Sequence, residues 1–353
     1  MSNHADVVLS TLLLPFSTGQ LNWPQAGGAL FLRARAGADL RGIAGKHLHC
    51  EQGFKPAADD LARDGWALRD EAENDAGRYA LVLVLPPRQR QEARALLARA
   101  VACSAPGGIV VACMANDEGA RSGESDLKAL AGLSGNLSKN HCRAYWSTVS
   151  AATCDAALIA TWRELDAPRP ILDGRFISRP GVFAWDRIDA ASALLAEHLP
   201  TTLAGSAADL GCGFGYLSVE LLQRCPAITA LDLHEAEARA LDLARQNLAP
   251  FGSRVSLGFH WSDVTAGLAR RYDVIVSNPP FHAQGSMDRP DIGRAFIIAA
   301  AEALKPGGRL WMVANRHLPY ESVLDARFGT VRIVTQAQGF KIIEAVKAGG
   351  ARR

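Results

Sequence analysis

Between Ala207 and Leu222 the chain reads AADLGCGFGYLSVELL: a short apolar run, glycines at alternate positions, then an apolar helical pattern. A backbone that leaves a strand and enters a helix so quickly must turn sharply. Gly211, Gly213 and Gly215 permit that turn, and they let a ligand come closer to the main chain than a side chain would allow. The segment predicts a strand–loop–helix unit of an α/β fold with a small-molecule site at the bend. Around it, short apolar runs alternate with helical patterns, the mark of a mostly parallel sheet covered by helices. Strands are expected at 207–210, 228–231, 255–259, 272–277 and 309–314. Helices are expected from Tyr216, over 235–247, and over 293–304, where KPGG stops the last one. Residues 330–336 and 340–346 read as a closing hairpin that adds an antiparallel strand.

At 353 residues the chain is long enough for about two domains, and the first half repeats fragments of the second. APGGIVVACMAND at 105–117 matches KPGGRLWMVANRH at 305–317, an offset of 200, and LVLVLPP at 81–87 matches VIVSNPP at 274–280. A duplicated domain follows. The first copy has no glycine cluster, and Leu85 stands where the second has Asn278. The expected division is 1–160, a linker over 161–187, and 188–353. The linker holds five arginines against four acids, and it reads either as a solvated connector or as a contact for RNA phosphate.

Two carboxylates follow the glycine bend. Asp232 lies 21 residues past Gly211, a spacing at which an acid meets a ribose diol. Asp263 is placed to meet an adenine amino group, and Asp209 closes the first strand. These features suit either of two nucleotide-type cofactors, NAD or S-adenosylmethionine. DVIVSNPPFH at 273–282 decides between them. Asn278 offers a side-chain carbonyl and Pro279 a backbone carbonyl with no N–H of its own. Two such acceptors can hold the hydrogens of an exocyclic amine while its nitrogen meets an electrophilic methyl group. Phe281 supplies a flat face for a base, and His282 either touches substrate or caps the loop.

These motifs resemble the class I S-adenosylmethionine-dependent methyltransferases. PGVFAWDRIDAASALL, NPPFH, VANRHLPY and AQGFKIIEA narrow the resemblance to the bacterial 16S ribosomal RNA guanine 2-amino methyltransferases of the small subunit. Trp185 and Arg187 depart from the family's pattern around Asp186. The resemblance implies two tandem Rossmann-like methyltransferase domains, the N-terminal one degenerate, and a mostly parallel seven-stranded sheet in the C-terminal one. It implies a catalytic set of Asn278, Pro279, Pro280 and Phe281, with Phe281 and His282 toward the substrate. The cofactor set is Asp209, Gly211, Gly213, Gly215, Asp232 and Asp263. The expected partner is ribosomal RNA or the 30S subunit, met by a cytoplasmic monomer without metal. Alternatives are a large-subunit guanine, an adenine amino group, a glutamine amide, or an inactive RNA-binding assembly factor.

Composition agrees. Thirty-eight Lys and Arg against 36 Asp and Glu leave a net charge of +2, so any RNA contact must be a local patch. Seven scattered cysteines without C-x-x-C argue against a disulfide framework or zinc knuckle. The N-terminus lacks the basic lead-in of a signal peptide. HLHC at 47–50 reads as one face of a strand rather than a metal site, and the basic run 88–99 as an RNA-docking or merely solvated helix face.

Overall fold

The computed structural model describes residues 6–43, 47–70, 75–280 and 290–349. The chain divides into two units, Met1–Ala167 with Arg179–Gly181, and Pro168–Ser178 with Val182–Arg353. The segment expected as a linker holds the end of the helix Ala156–Arg163 and a small antiparallel hairpin, Arg169–Ile171 with Phe176–Ser178. Its arginines are largely engaged within their own units: Arg175 pairs with Glu220, Arg179 with Asp166 and Arg187 with Asp186, and Arg169 lies over the Trp185 ring.

The second unit is built on a seven-stranded sheet. In spatial order the strands are Ser256–Trp261, Ile228–Glu235, Gly205–Leu210, Tyr272–Ser277, Leu304–Asn315, Phe340–Val346 and Thr330–Ala337, and Phe340–Val346 runs antiparallel to both its neighbours. Central strands are apolar on both faces because helices cover both. Val274, Ile275 and Val276 are all buried, and each such side chain contributes about 1.5–3 kcal/mol by leaving water. Strand order reverses between Gly205–Leu210 and Tyr272–Ser277, which are hydrogen-bonded neighbours. A crevice opens at the carboxyl ends of the strands at such a switch point.

The first unit carries six strands in the order Leu48–Glu51, Ala29–Leu32, Tyr79–Val84, Ser104–Ala115, Cys142–Thr148 and Gly135–Lys139. This is the order of the second sheet with one edge strand removed. A lone parallel bridge, Cys50 to Leu68, stands where that strand would pair. The matched Pro-Gly-Gly segments share an irregularity as well as a sequence. Tyr79 pairs with Ser104 and then Leu81 with Ile109, as Tyr272 pairs with Leu304 and then Val274 with Arg309. In both copies the Pro-Gly-Gly bulges out inside a strand instead of preceding it, so the strand expected at 309–314 starts at Leu304.

The basic run lies on the helix Arg90–Cys103. Two of its arginines serve the fold: Arg94 is bidentate to Asp126 and stacks over Trp162, and Arg99 is bidentate to Glu51. In HLHC, His49 meets the Tyr79 hydroxyl at 3.2 Å, whereas Cys50 is buried and its thiol is pushed up to about 12 by that burial.

Candidate active site

Leu210 and Ser277 are register partners, and the Ser277 hydroxyl donates to the Leu210 carbonyl at 2.7 Å. The residues that follow them, Gly211 and Asn278, are therefore held side by side at the mouth of the crevice. Both line one cleft with Asp189, Asp209, Gly213 and Phe183.

The three glycines adopt left-handed φ of +74°, +54° and +91°, and two of them answer different needs. A Cβ on Gly213 would meet nothing within 4 Å, so the backbone there lies open to a ligand. A Cβ on Gly215 would stand 2.7 Å from Leu248 and 3.3 Å from Ala244, so its bareness lets the helix Tyr216–Arg224 pack against Ala238–Leu248.

Asp209 is 1% exposed. Its Oδ2 accepts from the Ser218 hydroxyl at 2.7 Å, while Oδ1 is buried without a hydrogen-bond partner in the structure. Burial pushes its carboxyl up to about 7; the Ser218 hydrogen bond opposes the shift and Glu235 adds to it. A buried acceptor left unmatched is costly, and one at the back of a cleft is suited to a cationic ligand group.

The second carboxylate is a correction. The strand read as ending at Leu231 runs on to Glu235, which leaves Asp232 inside the sheet rather than at its edge. Asp232 is tied to the Tyr272 hydroxyl at 2.8 Å and to Arg270 at 2.9 Å. Glu235 is the acid at the bend: its two oxygens accept from the backbone N–H of Gly213 at 2.8 Å and of Glu237 at 2.9 Å. Burial raises its carboxyl above the usual range.

Donor atoms of Asp232, His234 and His260 lie within 4.8 Å of one another. The two imidazoles are stacked, 4.6 Å apart and 14° from parallel. Because a shared ion must lie in the plane of each ring, this stacking does not suit one. His234 instead joins a hydrogen-bonded chain from Ser262 to Tyr272 and on to Asp232. Burial, with His260 beside it, pushes its imidazole down to about 4.

Asp263 caps the turn Val264–Ala266, and its Oδ1 accepts from both the N–H and the hydroxyl of Thr265. It stands at the carboxyl edge of the sheet, beyond the strand Ser256–Trp261.

Asn278 is half-buried, and its amide orientation is settled by its partners. Nδ2 lies 2.9 Å from Asp189 Oδ2 and 2.8 Å from Ser192 Oγ. A carboxylate can only accept, so it must face the NH2 group. Both amide hydrogens are thus taken, which leaves Oδ1 as the acceptor of a side chain that lines the cleft. Asp189 is itself fixed as the N-cap of the helix Ala190–His198, accepting from the Ser192 N–H at 2.9 Å. Sequence reasoning assigned Asp189 and Ser192 no role. Their signal was local, an Asp before an apolar helical run, but their partner lies 86–89 residues away. Pro279 is buried and Pro280 exposed; Phe281 and His282 lie outside the described residues.

The Methyltransferase small domain model matches residues 173–344. Ribosomal RNA small subunit methyltransferase C of Escherichia coli strain 55989 is 30% identical over 302 residues, covering 82% of this chain and 85% of that protein. The protein of the same name from Erwinia tasmaniensis is 32% identical over 268 residues, covering 76% and 75%. Among solved structures, the T. thermophilus 16S rRNA N2 G1207 methyltransferase in complex with AdoMet and guanosine superposes with a TM-score of 0.77. It is 24% identical, with 98% of this chain and 93% of that one covered, and it shares the fold. With its two related sheets and glycine-bend crevice, the chain belongs to the ribosomal RNA small subunit methyltransferase C family.

Proposed function

We propose that the second unit transfers the methyl group of S-adenosylmethionine to the exocyclic 2-amino group of a guanine in 16S ribosomal RNA, in the cytoplasm. One observation carries this: Asn278 has both amide hydrogens committed to Asp189 and Ser192, so it presents an oxygen beside the glycine bend. An amino group needs that acceptor. Pro279 supplies the second through its backbone carbonyl, and together they orient the nitrogen's lone pair along the line of transfer. Such alignment can remove several kcal/mol from the barrier.

The cleft fits the cofactor. The open face at Gly213 admits it, and the unmatched Asp209 Oδ1 suits the ammonium of its amino-acid end. Glu235 takes the ribose role first given to Asp232, and Asp263 meets the adenine amino group. When bound, S-adenosylmethionine supplies a methyl group already activated on a sulfonium. The chain's own task is therefore to position the amine and exclude water.

Nucleoside mass spectrometry of 16S RNA from a deletion strain tests the activity: N2-methylguanosine is lost at one position and restored by the wild-type gene. Unchanged N2-methylguanosine with loss of a methyladenosine would instead favour adenine as the substrate.

Two predictions separate the carboxylates. Glu235→Ala weakens S-adenosylmethionine binding by about 10- to 100-fold, the scale of one charge-assisted hydrogen bond. Asp232→Asn leaves the affinity within about threefold and lowers the melting temperature instead. Calorimetry and thermal melts on both variants check this, and a reversed pattern would return the ribose role to Asp232.

The second prediction concerns pH. The cofactor-free Asp209 carboxyl, at about 7, must be ionised to hold an ammonium, so binding costs a proton whenever the group is protonated. Affinity therefore falls as pH drops from about 7 toward 5.5, approaching roughly tenfold per unit. Asp209→Asn binds more weakly and has a shallower profile over the same range, because it lacks the proton that Asp209 must lose. A flat wild-type profile would show that Asp209 is not the ammonium's partner.

A further inference from the structure

Phe183 is 67% exposed, the most exposed of the large apolar side chains among the described residues, and it lines the cleft that holds Asn278. Leaving a benzyl group in water forfeits the gain that burial would bring, so its position needs another cause. It is not slack in the loop. Val182 before it is buried in the core, and Trp185 after it packs against that core beneath the Arg169 guanidinium, 5.3 Å from the ring centroid. Ala184 between them is held at φ +50°, left-handed backbone that a residue with a Cβ rarely adopts. The Arg187 N–H closes the turn on the Ala184 carbonyl at 3.2 Å. A turn anchored on both sides, with unfavourable backbone at its corner, holds one phenyl ring out at the cleft.

Burial orders the cleft by depth: Asp209 is sealed at the back, Asn278 is half-buried, and Phe183 stands in the open. A cofactor reached through Gly213 and Asp209 occupies the deep part. The ring stands at the open mouth of the same cleft, whereas Asp209 is sealed from solvent. We propose that Phe183 is a base-stacking residue for the target nucleotide: its ring takes the flat face of the guanine whose amino group Asn278 and Pro279 hold. This rests on the reading of the cleft as an RNA guanine N2-methyltransferase site, and it adds a determinant of substrate capture remote from the NPPF sequence. Stacking on one aromatic restrains the base to a plane, and two hydrogen bonds in that plane fix its rotation. Together they set the amine for transfer.

The test uses the full-length protein with 30S subunits and with 16S RNA transcripts as substrates. Methyl incorporation gives kcat/KM, and calorimetry gives S-adenosylmethionine affinity. Phe183→Ala is expected to lower kcat/KM for RNA by about 10- to 100-fold, the size of one lost base–aromatic stack. Cofactor affinity and melting temperature should not change. Phe183→Leu, apolar but without a flat π face, behaves like alanine, and Phe183→Trp restores activity to within about threefold of wild type. The proposal is overturned if Phe183→Ala keeps at least half the wild-type kcat/KM, if Phe183→Leu restores it, or if cofactor affinity falls in step with activity, which would make Phe183 a cofactor contact. Failure of the functional reading looks different: the wild-type protein then places no methyl on guanine N2 in either substrate.

Discussion

Alanine in place of Asn278 lowers kcat for methyl transfer to RNA by about 100- to 1,000-fold, the scale of removing one preorganised polar group from a reacting centre. S-adenosylmethionine affinity stays within about threefold, because the cofactor contacts proposed above, at Gly213, Asp209, Glu235 and Asp263, do not include the Asn278 side chain. The loss falls on kcat rather than on RNA binding, since the amine needs its acceptor most as its nitrogen becomes tetrahedral. Asn278→Asp does not rescue. It keeps an acceptor oxygen but faces the Asp189 carboxylate, now 2.9 Å from the amide nitrogen, and two like charges at that separation repel. Ser192→Ala falls between wild type and Asn278→Ala, because one amide hydrogen keeps its partner. Single-turnover rates with saturating RNA check the series. A rate for Asn278→Ala above about a third of wild type would remove the side-chain carbonyl from the mechanism.

The largest stability effect is expected at Gly215. Valine there meets two penalties: a β-branched side chain at φ +91°, and a Cβ 2.7 Å from Leu248 and 3.3 Å from the backbone of Ala244. Left-handed backbone costs a non-glycine residue about 1–3 kcal/mol, and overpacking costs a similar amount. A total of about 2–6 kcal/mol corresponds to roughly 5–20 °C in melting temperature for a domain of this size. Gly213→Ala is the contrast. Nothing lies within 4 Å of its Cβ, so it costs about 1–2 kcal/mol from backbone strain alone, while its methyl group occupies space the ligand needs. Thermal melts and calorimetry separate the two: Gly215→Val loses mainly stability, and Gly213→Ala mainly cofactor affinity. Equal losses of stability would mean that the helix packing around Gly215 relaxes freely.

The sheet was largely legible because strands covered on both faces are apolar runs, as Val274–Val276 show, and because glycines at alternate positions have few other uses. The strand ends were less legible, for two physical reasons. Asp232 and His234 look like residues that stop a strand. They are buried within one because Tyr272, Arg270 and Ser262 satisfy them from other elements, which the local pattern does not show. Pro306, Gly307 and Gly308 look like a turn, yet they form a bulge inside the strand Leu304–Asn315. The clamp on Asn278 was invisible for a related reason. Helix capping can be read locally, but the second acceptance by the same Asp189 oxygen joins residues far apart in the chain.

The first unit's sheet differs from the second in more than the missing glycines and the buried Leu85. Among the described residues it has no counterpart of the edge strand that leads to Asp263, and the Cys50–Leu68 bridge marks the place. Reinstalling glycines and an asparagine would restore those residue types but not the strand Ser256–Trp261 that precedes Asp263 in the second unit. Point substitutions add no strand, so the first unit could not acquire the second unit's outermost edge one side chain at a time.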